Sequence, residues 1–170
     1  MLKIFSKPRV SSTALVMLDG VQQGLDVMAL LRGQVGDRLA SLEIMSRGQI
    51  EAIRATVPDT TVSFALDAPW YLIIELTDTL VGVDLSKPLE GALGEALERG
   101  LITDALFASS EAQAKVIWRV RHSVSEANKR SGMVVSHDSA VPIDRQAAFA
   151  ENVERRILEA VPHARVVMHG

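Results

Sequence analysis

Residues 70–107, WYLIIELTDTLVGVDLSKPLEGALGEALERGLITDALF, decide the fold class of this chain. Trp70–Thr77 has the β-branched and aromatic content of a buried strand, and Leu101–Phe107 predicts a second strand. Between them, Pro88–Arg99 carries leucines at helical spacing, with proline in its first turn and Gly100 just past its end. The stretch therefore predicts a strand–helix–strand unit.

A similar unit precedes it in the chain. Ser12–Leu18 predicts a strand, Gly20–Arg32 predicts a helix that ends at glycine, and Leu39–Met45 predicts a second strand. A short helix over Ser46–Val57 is inserted before the next unit begins. Two such units in succession are typical of an α+β, ferredoxin-like split βαβ sandwich, here with additional helices and strands.

Four more elements are predicted after the second unit. A long helix spans Ser110–Lys129, a strand spans Met133–Val141, and a further helix is capped by Asp144. The last strand, Ala164–Met168, runs into the end of the chain. Because a natural domain seldom ends on the edge of its own strand, we expect this domain to be truncated at its C-terminus.

Composition excludes several classes of protein. The 170 residues suit one domain, and an apolar content of 48% is ample for a core. A net charge of -3 gives no basic surface for nucleic acid or an anionic membrane, and the absence of cysteine excludes disulfides and cysteine-ligated metals. No secretion signal or apolar span occurs. We therefore expect a cytoplasmic location, with peripheral membrane association of the full-length protein left open.

Common catalytic motifs are missing from the sequence. It contains no Gly-rich phosphate loop of either common type and no G-x-S-x-G nucleophile elbow. The four histidines do not form H-E-x-x-H or another metal-ligand spacing. Candidate functional residues must therefore be identified from where the elements place them.

The long helix carries an arginine on its packed side. Residues three and four apart share a helix face, so Ile117, Arg121 and Val124 fall on one stripe, with Ser125 beside it. A guanidinium on a mostly apolar face needs an anionic partner, because an unpaired buried charge is costly. Arg121 is therefore the first candidate for a functional residue.

Two interpretations of Arg121 stay open at this point. In the first, its partner is internal, for instance Asp138 or Glu126, and a purely structural arginine would unfold the chain when replaced by alanine. In the second, the guanidinium and the hydroxyl of Ser125 hold the carboxylate of a substrate, one as a two-donor fork and the other as a neutral donor.

The segment VVSHDSAVP, residues 134–142, follows the long helix and is unusually polar for a strand. Alternation would place Ser136 and Asp138 on one side and His137 on the other. A solvated edge strand explains this pattern, and so does a pocket that Ser136 and Asp138, or His137, line together with Arg121. Both interpretations remain open.

At these residues the sequence resembles a known family. WRVRHSVSEANKRSG at 118–132, followed by SHDSAVPIDR at 136–145, resembles the substrate-domain signature of FAD-linked oxidases of the vanillyl-alcohol-oxidase type. Within that group it is most similar to the D-lactate, glycolate and D-2-hydroxyglutarate dehydrogenases. LKIFSKPR, TALVMLDGVQQGL and SLEIMSRGQIE agree with the upstream segments of that family, so the resemblance covers nearly the whole chain.

The resemblance implies a domain layout and two cofactors. Residues 1–10 would be the tail end of the flavin-binding domain, and residues 11–170 the substrate-binding cap domain, incomplete at its C-terminus. FAD would be bound mainly by the missing N-terminal domain, so no FAD-binding residue is assigned in this chain. A motif like G-H-x-G-D-G-N-x-H, which binds a divalent metal, would begin at Gly170, with its first metal-binding histidine as the next residue.

The resemblance also implies roles for the candidate residues. Those matching Arg121 and Ser125 bind a substrate carboxylate in that family. A lysine is common at the position of Ser136, and serine there removes a positive donor, which puts a dicarboxylate substrate in doubt. A monocarboxylate, or a different second anchor, becomes the simpler expectation.

The resulting functional expectation is the substrate-binding portion of an FAD-dependent dehydrogenase or oxidase for a small 2-hydroxy acid. The isolated chain is expected to be inactive, because its partners would include the missing flavin domain. An exposed strand edge would also favour a homodimer. The alternative is a non-catalytic ferredoxin-like module that binds a small acid ligand or mediates assembly.

Overall fold

The computed structural model of this protein describes residues 6–170. Within those residues the chain forms four strands and six helices, with short 3-10 turns after α1 and before α6. The elements are β1 (Val10–Leu18), α1 (Val21–Val35), β2 (Leu39–Ser46), α2 (Arg47–Thr56), β3 (Trp70–Asp78), α3 (Ser86–Glu98), β4 (Asp104–Phe107), α4 (Glu111–His122), α5 (Val124–Arg130) and α6 (Gln146–Ala160).

The four strands form one sheet in the order β2-β3-β1-β4, and every neighbouring pair is antiparallel. This is the strand order of two interleaved strand–helix–strand units, so the predicted ferredoxin-like architecture is confirmed. The helix α2 is the extra element inserted between β2 and β3. The first strand of the described residues, β1, lies in the interior of the sheet, between β3 and β4.

One side of the sheet, here called the apolar face, is covered by α1 and α3. Alternate residues of the strands point to this side and are buried against the two helices. The contributing strand residues include Ala14, Val16, Leu18, Leu72, Ile74 and Leu76, and the helices add Val27, Leu31, Leu89 and Leu93. This face holds the larger of the two cores, and its central rows are aliphatic.

The other side, here called the mixed face, is covered by α2, α4 and α5. Cross-strand pairing arranges its residues in three rows across β1, β3 and β2. From one end of the sheet to the other, the rows are Thr13–Glu75–Ser41, Leu15–Ile73–Glu43 and Met17–Tyr71–Met45. The mixed face is therefore apolar at one end and polar at the other.

The ends of the helices follow local sequence signals. Ser46 caps α2, because its Oγ accepts a hydrogen bond from the backbone N–H of Gln49 at 3.4 Å. The helix α1 runs three residues further than predicted and ends at Gly36, whose φ of 55° lies in the left-handed region that favours glycine. The helix α3 contains Pro88 in its first turn, as predicted.

The predicted strand Met133–Val141 is wrong. Residues 133–142 have no helical or strand assignment and lie on the surface, where Met133 is 99% exposed. Alternation in a sequence predicts a strand only when a neighbouring strand offers its backbone groups, and no such neighbour pairs with this segment in the part of the chain described.

The predicted strand Ala164–Met168 is also wrong as a regular element, although the end of the chain does meet the sheet. A single bridge joins His169 to Met45, and the N–H of Ile44 donates to the carbonyl of Gly170 at 2.6 Å. The N–H of Ser46 donates to the carbonyl of Met168 at 2.9 Å. The last residues thus pair with the end of β2 only.

Three smaller predictions also need correction or lie outside the described residues. The long helix predicted over Ser110–Lys129 is two helices, α4 and α5, separated at Ser123. Asp144 does not cap α6, because it lies in a 3-10 turn and makes no capping hydrogen bond. LKIFSKPR, which the resemblance assigns to the tail end of the flavin-binding domain, spans residues 2–9; residues 2–5 are outside the described residues, and residues 6–9 have no helical or strand assignment.

Candidate functional site

The candidate site lies where α4 crosses the polar part of the mixed face. The helix buries Ile117 and Val120 in the core beneath it, and α5 adds Val124. The side chains of Trp118 and Arg121 reach carboxylates on the sheet. Because these two residues are three apart, they contact neighbouring rows of the sheet from one side of the helix.

Arg121 is paired with Glu43 on β2. Its Nε donates to Glu43 Oε2 at 2.8 Å, and the two side chains are 24% and 31% exposed. The internal partners considered from the sequence, Asp138 and Glu126, are therefore not the ones that the structure pairs with it. Glu126 instead forms an ion pair with Arg130, one turn further along α5.

Glu43 is the residue of the candidate site that sequence reasoning missed. It belongs to the row Leu15–Ile73–Glu43, so an acidic side chain lies beside two buried aliphatic residues. The signal available in the sequence was a lone glutamate inside the strand LASLEIMS. Alternation alone could not assign it to a face, because both sets of alternate positions in that strand contain apolar residues.

A second carboxylate, Glu75, lies one row away. Its Oε1 accepts a hydrogen bond from Trp118 Nε1 at 3.1 Å and one from Thr13 Oγ1 at 3.4 Å. The indole of Trp118 stacks on the ring of His122 with centroids 5.7 Å apart. An open groove of about 510 Å³ borders these groups and is lined by Ser11, Ser41, Glu75, Lys115, Trp118 and His122, among others.

The break between α4 and α5 decides where Ser125 lies. Ser123 is buried, and its Oγ donates to the carbonyl of Arg119 at 2.8 Å while it shares a hydrogen bond of 2.9 Å with Thr60 Oγ1. A side chain that bonds to the carbonyl four residues earlier commonly bends a helix. Ser125 therefore lies in the first turn of α5, which begins at Val124, and is exposed there, four residues after Arg121.

The helix α5 is held against α2 by an amide pair whose α2 member is buried. Gln49 is fully buried, and its Nε2 donates to Asn128 Oδ1 at 3.2 Å. The other amide atom of Gln49, Oε1, has no hydrogen-bond partner within the described residues. Together with Val124 and Ala127, which are buried beside it, this contact fixes the position of α5 on the mixed face.

His169 joins the site from the end of the chain. Its bridge to Met45 brings its side chain near Arg121, Glu43 and Asp138. Burial is the main cause that lowers the pKa of His169, and the positive charge of Arg121 lowers it further, while Glu43 and Asp138 oppose the change. The neutral form of this imidazole is therefore more favoured than in a free histidine.

The polar segment predicted as a pocket wall is only partly near these groups. Asp138 is close enough to His169 to influence it electrostatically, although its own side chain is exposed. Ser136 and His137 lie on the same irregular segment and are exposed, with no hydrogen bond to the candidate site among the described residues. The structure thus groups Arg121, Glu43, His169 and Asp138, with Ser125 at the margin.

Within residues 6–170, no group of three or more histidine, aspartate and glutamate side chains is arranged to hold a metal ion. In the same part of the chain, every helix is too short or too polar to cross a bilayer.

Comparison with known proteins gives a consistent family match. Residues 7–170 match the family described as FAD linked oxidases, C-terminal domain. Relatives include proteins named D-2-hydroxyglutarate dehydrogenase: one from Bos taurus is 27% identical over 96% of this chain, and one from Xanthomonas citri is 26% identical over 99% of it. The chain spans 29% and 34% of the length of these two relatives, respectively.

Proposed function

This chain belongs to the family of C-terminal domains of FAD-linked oxidases, and from that premise we propose that it is the substrate-binding part of an FAD-dependent dehydrogenase or oxidase. The proposed substrate is a small 2-hydroxy acid. The names of the relatives support this class of substrate, because several of them are named D-2-hydroxyglutarate dehydrogenase.

The observation that carries the proposal is the placement of Arg121. It is three-quarters buried, yet its only described anionic partner contacts a single nitrogen of the guanidinium. The remaining donors can bind a carboxylate with two parallel hydrogen bonds. Partial burial strengthens such a contact because water screens it less than at an open surface.

Ser125 would supply a second, neutral donor to the same carboxylate. Its hydroxyl is exposed on α5, one helical turn beyond Arg121 in sequence and across the break at Ser123. The buried contacts of α5 with α2 would keep this hydroxyl in a defined place. In this proposal, Arg121 and Ser125 bind and orient the acid, which is the contribution of this chain to the reaction.

The redox chemistry would belong to the cofactor. Bound FAD supplies the acceptor for the hydride that leaves the carbon bearing the substrate hydroxyl. We assign no residue of this chain to FAD, and we propose that a flavin domain elsewhere in the whole protein binds it. Among the described residues we assign no ligand to a divalent metal.

The choice among 2-hydroxy acids depends on what lies beyond the first carboxylate. Ser136 carries no charge at the position where the resembling dehydrogenases commonly have lysine, and it is exposed. The acidic groups that influence His169 in this region are Glu43 and Asp138. We therefore propose a monocarboxylate such as D-lactate or glycolate ahead of D-2-hydroxyglutarate.

The test uses the whole protein that contains this chain, purified with its flavin. Reduction of an artificial dye is measured with D-lactate, glycolate and D-2-hydroxyglutarate for the unchanged protein and for Arg121→Lys. Because a lysine cannot make the two-donor contact, we expect a rise in KM of about 10- to 100-fold, the equivalent of one charged hydrogen bond. Arg119→Lys, on the same helix, is the matched control.

Two results would count against the proposal. Equal KM values in Arg121→Lys and Arg119→Lys would remove Arg121 from carboxylate binding. Absence of flavin and of dye reduction in the whole protein would favour the alternative, a non-catalytic module that binds a small acid.

A further inference from the structure

The guanidinium of Arg121 is held at one corner. Its Nε donates to Glu43 Oε2 at 2.8 Å, and within residues 6–170 the guanidinium makes no other hydrogen bond. A guanidinium has two edges that can each donate two parallel hydrogen bonds, and Nε belongs to one of them. Glu43 therefore occupies one edge and leaves the edge formed by Nη1 and Nη2.

Glu43 is itself held firmly. It lies on β2, which pairs along its length with β3, and its row neighbours Leu15 and Ile73 are fully buried. The end of β2 is further paired with Met168 and Gly170. A carboxylate on a packed strand is therefore a fixed point for the long side chain of Arg121, which reaches it from α4.

Displacement of Glu43 by a ligand would be costly. Its side chain is about two-thirds buried, and among the described residues its hydrogen-bond partner is Arg121. If a substrate carboxylate took Nε, Glu43 would be left without a partner beside apolar residues. A ligand that uses the Nη1 and Nη2 edge avoids this cost.

We propose that Glu43 is a positioning residue that fixes Arg121 through Nε and leaves one two-donor edge, so that Arg121 binds one carboxylate at a time. This inference rests on the proposed carboxylate-binding function and specifies how that site is built. The second carboxylate of a dicarboxylic acid would gain no contact with Arg121. Its donor would have to come from another residue.

The test is nuclear magnetic resonance of the whole protein that contains this chain, labelled with 15N at arginine. Arg121→Lys identifies the Arg121 signals by their loss. Without ligand, we expect an Arg121 Nε–H signal that is displaced from the position of a free arginine and exchanges slowly with water. In Glu43→Gln, this signal should move to the position of a free arginine. Glu75→Gln is the matched control, because Glu75 lies on the same face and contacts Trp118 instead.

Titration with glycolate or D-lactate then separates the outcomes. A shift of the Arg121 Nη signals while the Nε–H signal stays in place supports the proposal. Movement of Nε–H to the free position would show that the ligand replaces Glu43 and would overturn it. No change at either edge would count against the proposed carboxylate-binding function, even if the Nε–H signal still depended on Glu43.

Affinity gives a second readout for variants that remain folded by circular dichroism. In Glu43→Gln the guanidinium loses its charged anchor, so glycolate should bind about 10-fold more weakly, at the low end for a charged hydrogen bond. Glu43→Asp keeps the negative charge on a shorter side chain. Its affinity for glycolate should lie between those of the unchanged protein and Glu43→Gln. Unchanged affinity in both variants would remove Glu43 from the positioning of Arg121.

Discussion

The two faces of the sheet come from the same strands, yet they bury side chains of different polarity. On the apolar face, the central rows Ala14–Ile74 and Val16–Leu72 are aliphatic on both strands, and α1 and α3 close over them. On the mixed face, the row that contains Met17, Tyr71 and Met45 is apolar, while the row that contains Glu75 is largely polar. The difference teaches that one face can supply most of the stability and free the other to hold charged groups in fixed positions.

The largest expected effect comes from a cavity in the apolar face. Ile74 is fully buried there, and Ile74→Ala should lower the free energy of unfolding by about 2 to 5 kcal/mol. Ile73→Ala, on the mixed face beside Glu43, should cost less because water can reach the polar side of its cavity. Denaturant unfolding measures both, and an equal or larger loss for Ile73→Ala would contradict this contrast between the faces.

A smaller effect is expected at the break between α4 and α5. Ser123→Ala removes the only described partner of the buried Thr60 hydroxyl and should cost about 1 to 3 kcal/mol. Thr60→Val should cost less, because Ser123 still donates to the carbonyl of Arg119. In the double variant, the second change should add little. Additive losses in thermal or denaturant unfolding would show that the two hydroxyls act independently.

The ion pair on the mixed face should show a coupling free energy on the order of 1 kcal/mol. A double-mutant cycle with Arg121→Gln and Glu43→Gln measures it by denaturant unfolding at low and high salt. The exposed pair Arg155 and Glu159, which are i and i+4 on α6, is the control and should give about 0.3 to 0.5 kcal/mol. A coupling free energy no larger than that of the control would show that partial burial does not strengthen the pair of Arg121 and Glu43.

The smallest expected effect is the pH dependence of stability that Asp78, the last residue of β3, contributes. The backbone N–H of Leu80 is the main cause that lowers the pKa of Asp78 below its usual range; burial opposes this effect, and the guanidinium of Arg38 lowers the pKa further. A lowered folded pKa means that this contribution is present above the ordinary carboxyl pKa and is lost as pH falls through the folded value. Asp78→Asn should flatten this part of the curve of melting temperature against pH. An unchanged slope would contradict it.

Much of the fold could be predicted from the sequence because the two strand–helix–strand units carry local signals. Leucine spacing and a terminal glycine mark α3, and the aliphatic run in β3 marks a strand buried on both sides. The strand predicted over Met133–Val141 was wrong because a strand depends on a partner strand that the local sequence does not reveal. The prediction of one long helix over Ser110–Lys129 was wrong for a similar reason. The break at Ser123 involves a hydrogen bond with Thr60, which lies far away in sequence.

Only the arginine of the ion pair in the candidate site could be predicted from the sequence. The helical stripe that contains Ile117 and Val124 placed Arg121 inward, and the structure agrees. Its partner could not be predicted, because Glu43 meets it through tertiary packing between α4 and β2. His169 was missed as a neighbour for the same reason, since its place follows from a bridge to Met45. The ligands of Arg121 and Ser125 remain predictions.

The interior position of β1 has a consequence for folding during synthesis. β1 is the first strand of the described chain, but its neighbours are β3 and β4, which follow much later in the sequence. Pairing over such separations closes long loops before it gains contacts, which slows folding. Until β3 leaves the ribosome, the aliphatic side chains of β1 have no sheet to join. During that interval, a chaperone that binds extended apolar segments would have its best target in residues 13–18.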